Sequence, residues 1–259
     1  MAGEPFLRPL GDSRFAPNPV ARGPWSATSL HARVLAGLFA HEIESRWLQP
    51  GFRCARLTVD LYRLPSLAPG EVSSRVVRDG NRICVVETEY TSEGKSFARA
   101  SGVLLRESEN PPGKAWSRAV WEVPPPDAVA AREEWAGNDP IFEVRRISAG
   151  NDPTSQQRSW TRDTRTLIEG VPLTPFVRAA LAADFTNPFA NWSTEGLQFI
   201  NADITLYLHR YPEGEWIGFE VADHQADGGI SFADCALYDE AGPVGHSAVC
   251  GVANGPPRK

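Results

Sequence analysis

From Leu30 to Leu48 apolar residues recur every three or four positions, through Val34, Leu35, Leu38, Phe39, Ile43 and Trp47. That period lays a wide apolar face on one helix, with Ser29 as its N-cap and Pro50-Gly51 as its stop. The period then changes to two. Strands are predicted over 54–63, 70–79, 82–92 and 95–106, joined by hairpin turns at Arg78-Asp79-Gly80-Asn81 and Ser92-Glu93-Gly94-Lys95. Before the helix, residues 1–24 are rich in Pro, Gly and Arg, with one short strand expected near Phe15. After the strands, Pro111-Pro112 and Pro124-Pro125-Pro126 mark residues 107–140 as a linker, with one short helix at Ala128–Trp135. The second half predicts strands at 141–148 and 158–168, then a helix from Thr174 to Asp184. Thr174 is its N-cap and Pro175 its first position. Strands at 199–210, 215–223, 228–238 and 244–252 follow.

The halves repeat each other. Leu57-Thr58-Val59-Asp60-Leu61-Tyr62-Arg63 runs in step with Ile204-Thr205-Leu206-Tyr207-Leu208-His209-Arg210, 147 residues on. A solenoid period would be about 20–50 residues, so this is a duplicated domain. The boundaries read as 1–106, a linker over 107–140, and 141–259. A helix followed by antiparallel strands buries its apolar face against one side of the sheet, and twist curls the sheet around it. The fold class is α+β. Two such units joined edge to edge make one long sheet and remove two exposed strand edges.

Composition narrows the function. The net charge is −6 and basic residues are scattered, which argues against a nucleic-acid partner. No segment is long and apolar enough to span a bilayer, and no signal peptide is visible, so a cytoplasmic protein is expected. Cys54, Cys84, Cys235 and Cys250 lack metal-ligand or CxxC spacing and read as small buried hydrophobes in a reducing compartment. Metal, nicotinamide and nucleophilic-serine motifs are absent, and no cofactor is expected.

Several motifs resemble the acyl-CoA thioesterase II family of two fused hotdog domains. They are Gly23-Pro24-Trp25, the helix opening Leu30-His31-Ala32-Arg33, and Arg78-Asp79-Gly80-Asn81 in the first half. In the second they are Asn201-Ala202-Asp203-Ile204-Thr205-Leu206, Gly214-Glu215-Trp216-Ile217-Gly218 and Leu237 to Gly245. The resemblance covers nearly the whole chain. It implies hydrolysis of an acyl thioester, with coenzyme A or a carrier protein as leaving thiol and a homo-oligomer as the assembled form. Relatives use an Asp, a Thr or Ser, and a Gln to activate water. The Asp matches Asp203, the hydroxyl position falls at His224, and the Gln position falls at Val249. The relatives' His-Gly-Gly at the helix start is His31-Ala32-Arg33 here.

Each candidate has a plainer alternative. Asp203 is a general base or water orienter, or else a strand-end cap. His224 is a base near neutral pH, or a turn histidine, with Gln225 beside it as a substitute amide. His31 at a helix start is a hydrogen-bond donor to substrate, or a capping residue. Ala32 and Arg33 supply helix-start N–H groups for an oxyanion, and Arg33 a cation for substrate phosphates or a charged acyl group. Trp25 and Trp216 wall an acyl tunnel, or are plain core. Three functions stay open: hydrolysis, acyl binding without turnover, and hydration, the last without its expected motif.

Overall fold

The computed structural model describes residues 3–118, 122–131, 140–147 and 152–255. The first half contains β1 (Leu7–Gly11), β2 (Arg14–Pro17), α1 (Ala32–Trp47), β3 (Phe52–Leu61), β4 (Gly70–Arg78), β5 (Ile83–Ser92) and β6 (Lys95–Arg106). The second contains β7 (Phe142–Arg146), β8 (Arg158–Asp163), α2 (Pro175–Ala183) and α3 (Thr186–Ala190). It continues with β9 (Trp192–Ser193), β10 (Gly196–Leu197), β11 (Phe199–Asn201), β12 (Asp203–Leu208), β13 (Ile217–Asp227), β14 (Ile230–Asp239) and β15 (Gly242–Ala253). All but β9 and β10 belong to one antiparallel sheet of 13 strands, ordered β1-β2-β4-β5-β6-β3-β12-β15-β14-β13-β8-β7, with β11 also on β15.

The two repeated stretches meet at the centre of this sheet. Thr58 faces Thr205, Leu57 faces Leu206 and Val59 faces Ile204 across β3 and β12. The duplication thus uses equivalent strands to close the free edge of each half against the other, leaving neither exposed. The sheet also curls until its ends approach. Leu7 N donates to Leu167 O at 2.9 Å and Glu169 N to Leu7 O at 2.9 Å, just past β8. The residues of 158–168 beyond Asp163, expected as one strand with β8, are taken up by this closure.

Inside the curl lie α1 and α2, packed on each other. The sequence predicts one apolar face on α1; the structure buries every residue from Arg33 to Ala40, because sheet and α2 together enclose it. Gly37 permits the close helix contact: a Cβ there would come within 2.7 Å of Leu181 Cδ2. Phe39, Leu57, Leu104, Phe176, Leu181 and Phe219 belong to a single core that spans both halves.

Other expectations resolve locally. Glu93 and Gly94 take positive φ (50° and 71°), as the β5–β6 hairpin requires. The strand expected over 199–210 breaks at Ala202 into β11 and β12. In the linker, Pro126–Ala128 forms a 3₁₀ turn; the rest of the helix expected at Ala128–Trp135 falls largely outside the described residues. Cys54, Cys84 and Cys235 are buried, whereas Cys250 is exposed, and all four are free thiols. No helix among the described residues is long and apolar enough to cross a membrane.

Candidate active site

Because α1 and α2 run antiparallel, the start of α1 meets the end of α2. His31 caps α1 and Asp184 follows the last turn of α2. A carboxylate at a helix C-terminus opposes the helix dipole, so α2 gives Asp184 no help. Its support comes from elsewhere: His31 Nδ1 lies 3.2 Å from Asp184 Oδ2, and Asn201 Nδ2 donates to Oδ1 at 3.1 Å. Burial pushes the Asp184 carboxyl upward, but the bonds from His31 and Asn201 and the charge of Arg33 outweigh it and hold the group below its usual value.

His31 Nδ1 also lies 3.4 Å from the Arg33 backbone N–H. One nitrogen cannot accept from that N–H and donate to the carboxylate at once. The charged, buried carboxylate is the stronger and nearer partner, so the Nδ1 proton belongs to the bond with Asp184. Nε2 is then the basic nitrogen. The first amides of α1, those of Ala32 and Arg33, have no intrahelical acceptor and carry the positive end of the helix dipole.

This cluster borders a cavity of about 310 Å³ whose walls include Trp25, Leu30, Ala32, Leu61, Leu64 and Ile200, with Tyr62, Arg63 and Asn201 as its polar members. Most of its lining is apolar. A buried carboxylate and the imidazole bonded to it therefore stand beside an apolar pocket, joined to its wall through Ala32 and Asn201.

The sequence-predicted residues divide. His31 and Ala32 are at this cluster, and Trp25 lines the cavity. Arg33 does not face substrate. Its side chain is 6 % exposed, ion-paired to Asp163 on β8, and its guanidinium lies over the rings of Phe142 (4.7 Å) and Phe6 (5.8 Å). Trp216 packs with Trp160, Ala236 and Tyr238 in a separate cluster, under the guanidinium groups of Arg145 and Arg162. It walls no tunnel at this site.

Asp203 and His224, expected to meet, do not. Ile204, Leu206 and Leu208 point into the core, so Asp203 lies on the opposite, outer face of β12. His224 faces Ala233, which is fully buried, and so lies on the inner face of β13. The strand order puts β15 and β14 between them, about 14 Å at ~4.8 Å per strand. Asp203 Oδ1 accepts from Cys250 N at 2.6 Å, serving the backbone where β11 and β12 part. His224 lines a separate open cavity of about 600 Å³ with Phe189, Asn191 and Phe199. Gln225 donates to Asp223 Oδ1 at 3.1 Å and is exposed. Among the described residues no cluster of His, Cys, Asp and Glu has the geometry to hold a metal ion.

Sequence reasoning missed Asp184 and Asn201. One signal was available for Asp184: an acid ends the Ala-rich run Ala179-Ala180-Leu181-Ala182-Ala183, where helix electrostatics disfavour it.

By the repeat, the other end of the helix pair should carry an equivalent site. There Thr174 caps α2 and its hydroxyl donates to Glu44 Oε2 at 2.5 Å, the counterpart of His31 and Asp184. Cys54 stands 147 residues before Asn201, and Leu64, which lines the open cavity, stands 147 before Tyr211. Tyr211 fills this end. Its ring stacks on Phe176 (5.5 Å between centroids, 14° between planes) and its hydroxyl accepts from Cys54 N at 2.9 Å.

Comparison with known proteins bears on family and fold. Residues 21–105 match the family model described as the acyl-CoA thioesterase N-terminal domain, and residues 105–248 match that of the C-terminal domain. No curated protein sequence gives a significant match. Among solved structures, an acyl-CoA thioesterase II, TesB2, from Mycobacterium marinum is 17 % identical with a TM-score of 0.68, covering 96 % of each chain. A tesB protein of Mycobacterium avium subsp. paratuberculosis is 16 % identical with a TM-score of 0.69, covering 97 % of this chain and 96 % of that one. A protein of unknown function with a hot dog fold from Alicyclobacillus acidocaldarius is 15 % identical with a TM-score of 0.76, covering 96 % of each. At these identities the structural likeness bears on the fold alone.

Proposed function

The chain belongs to the acyl-CoA thioesterase family, and on that premise we propose that it hydrolyses an acyl thioester at the start of α1. The observation that carries this reading is the His31–Asp184–Asn201 cluster beside the apolar cavity that Asn201 and Ala32 line. The acyl group enters that cavity among Trp25, Leu30, Leu61, Leu64 and Ile200. The carbonyl oxygen lies against the Ala32 and Arg33 N–H groups, which oppose the negative charge that develops there. Water gives a proton to His31 Nε2 as its oxygen bonds to the carbonyl carbon. Asp184 holds the ring through Nδ1 and offsets the imidazolium charge. The C–S bond then breaks, and the departing thiolate takes the proton from His31. Asp203 has no part in this reading, because its carboxylate is on the outer face and committed to Cys250 N.

Acyl binding without turnover draws support from Val249, buried and apolar where the resemblance expects a Gln. Thiol release over straight-chain, branched and hydroxylated acyl-CoAs separates the two readings. Hydrolysis predicts enzyme-dependent release from at least one of them. Binding to the cavity with no release from any would leave the binding reading standing.

A further inference from the structure

The Arg33 side chain, at the opening of α1, has no part in the proposed reaction. Its placement is costly. The Arg33 side chain is 6 % exposed and has given up nearly all its water; it is kept by an ion pair with Asp163, whose side chain is 2 % exposed, and by the faces of Phe6 and Phe142. Burial pushes the Asp163 carboxyl up, and the charges of Arg33 and Arg178 oppose that push. The pair ties α1 of one half to β8 of the other, two residues from His31. It also sits in the field of the working acid, since Arg33 acts on Asp184 through its charge.

We propose that Arg33 is a positioning residue: the Arg33–Asp163 pair locks the first turn of α1 beside Asp184 and sets the charge that Asp184 carries in the working state. This rests on the reading of His31 and Asp184 as the working pair. The groups facing Asp184 are His31 and Arg33 at the start of α1 and Asn201 on β11, while Asp163 on β8 faces Arg33 and Arg178 of α2. Removing the Arg33 cation takes away one influence that keeps Asp184 ionised, so Asp184 titrates at higher pH. Removing the Asp163 anion leaves the Arg33 charge uncompensated, so Asp184 titrates at lower pH. A role in packing alone has no reason to give opposite signs.

The test is a carboxyl-carbon NMR titration of Asp184 in wild type, Arg33→Met, Arg33→Lys and Asp163→Asn, with kcat/KM for thiol release followed against pH in the same proteins. The Asp184 midpoint is expected to rise in Arg33→Met, fall in Asp163→Asn and return close to wild type in Arg33→Lys, with the acid limb of kcat/KM moving alike. If Arg33→Met does not fold, Asp163→Asn decides, because a downward shift has no packing explanation. Coincident midpoints, or shifts of one sign in both variants, overturn the proposal and leave the hydrolytic reading intact. Opposite NMR shifts that the activity profile does not follow uphold the role of Arg33 and refute His31–Asp184 as the working pair.

Discussion

Tyr211 closes one of two equivalent helix ends, and its removal has a calculable cost. Its hydroxyl accepts from the Cys54 N–H at 2.9 Å, at a register shift where β3 lacks a regular partner for that donor. Tyr211→Phe keeps the ring stacked on Phe176 and strands the donor, a loss of about 1–3 kcal/mol. Tyr211→Ala also removes the ring. Deletion of a buried aromatic costs about 3–5 kcal/mol, less here because Tyr211 is only half-buried, so about 3–5 kcal/mol is expected in total with the stranded donor. Urea unfolding followed by tryptophan fluorescence measures both differences. With a non-hydrolysable acyl-CoA thioether, wild type and Tyr211→Phe are expected to bind one ligand per chain, at the open end. Tyr211→Ala within about 1 kcal/mol of wild type would refute the plug, and two equivalent sites in wild type would show that the second end was never closed.

Three further outcomes are expected. Thiol alkylation of the native protein at pH 7.5 should label Cys250 first and slowly: the residue is exposed, while partial desolvation of its thiol and the bond and charge of Asp203 push it up to about 11. Cys54, buried and pushed up to about 12, should stay unlabelled until unfolding, as peptide mapping would show. Asp184 is held below its usual value, so its stabilising contribution is full above about pH 4 and lost as pH falls through its folded value. The urea midpoint should therefore drop less steeply between pH 4 and 2 in Asp184→Asn than in wild type, and parallel curves would refute this. Gly245→Ala should cost more than about 3 kcal/mol, because the new Cβ would collide with the Tyr207 carbonyl oxygen in the β12–β15 ladder. A normal melting curve would contradict it.

Most of the framework was legible because it is local. The change of period at Pro50-Gly51 separates α1 from β3, and Glu93-Gly94 marks the β5–β6 hairpin without knowledge of any other contact. The repeat at Thr58 and Thr205 announced a duplicated unit, and the sheet joins through those residues. β1 was not legible, since Arg8, Pro9 and Leu10 show no alternation and the strand is defined by its pairing with β2 and with the chain beyond β8. The site was legible only at its helix start. His31, Ala32 and Trp25 stand together in sequence, but Asp184 is 153 residues from His31 and meets it only because α1 and α2 pack antiparallel. The resemblance put the acid of the site at Asp203. Period-two alternation with Ile204 and Leu206 inward already placed it on the outer face. A cation at a helix start suggested a phosphate contact for Arg33, and only tertiary structure supplied Asp163 as its partner.

The most direct test of the account is thiol release, on whichever acyl-CoA wild type cleaves best, by Asp184→Asn, His31→Gln and Asp203→Asn, with folding checked by urea midpoint. Asp184→Asn keeps the shape and removes the charge that holds and offsets His31. A loss in kcat of about 10²–10⁴ is predicted for it and for His31→Gln, the span expected when a general base or its orienting acid is removed. Asp203→Asn is expected within about threefold of wild type, since an amide oxygen still accepts from Cys250 N. Full activity in Asp184→Asn together with a collapse in Asp203→Asn would contradict the account and return the chemistry to the outer face of the sheet.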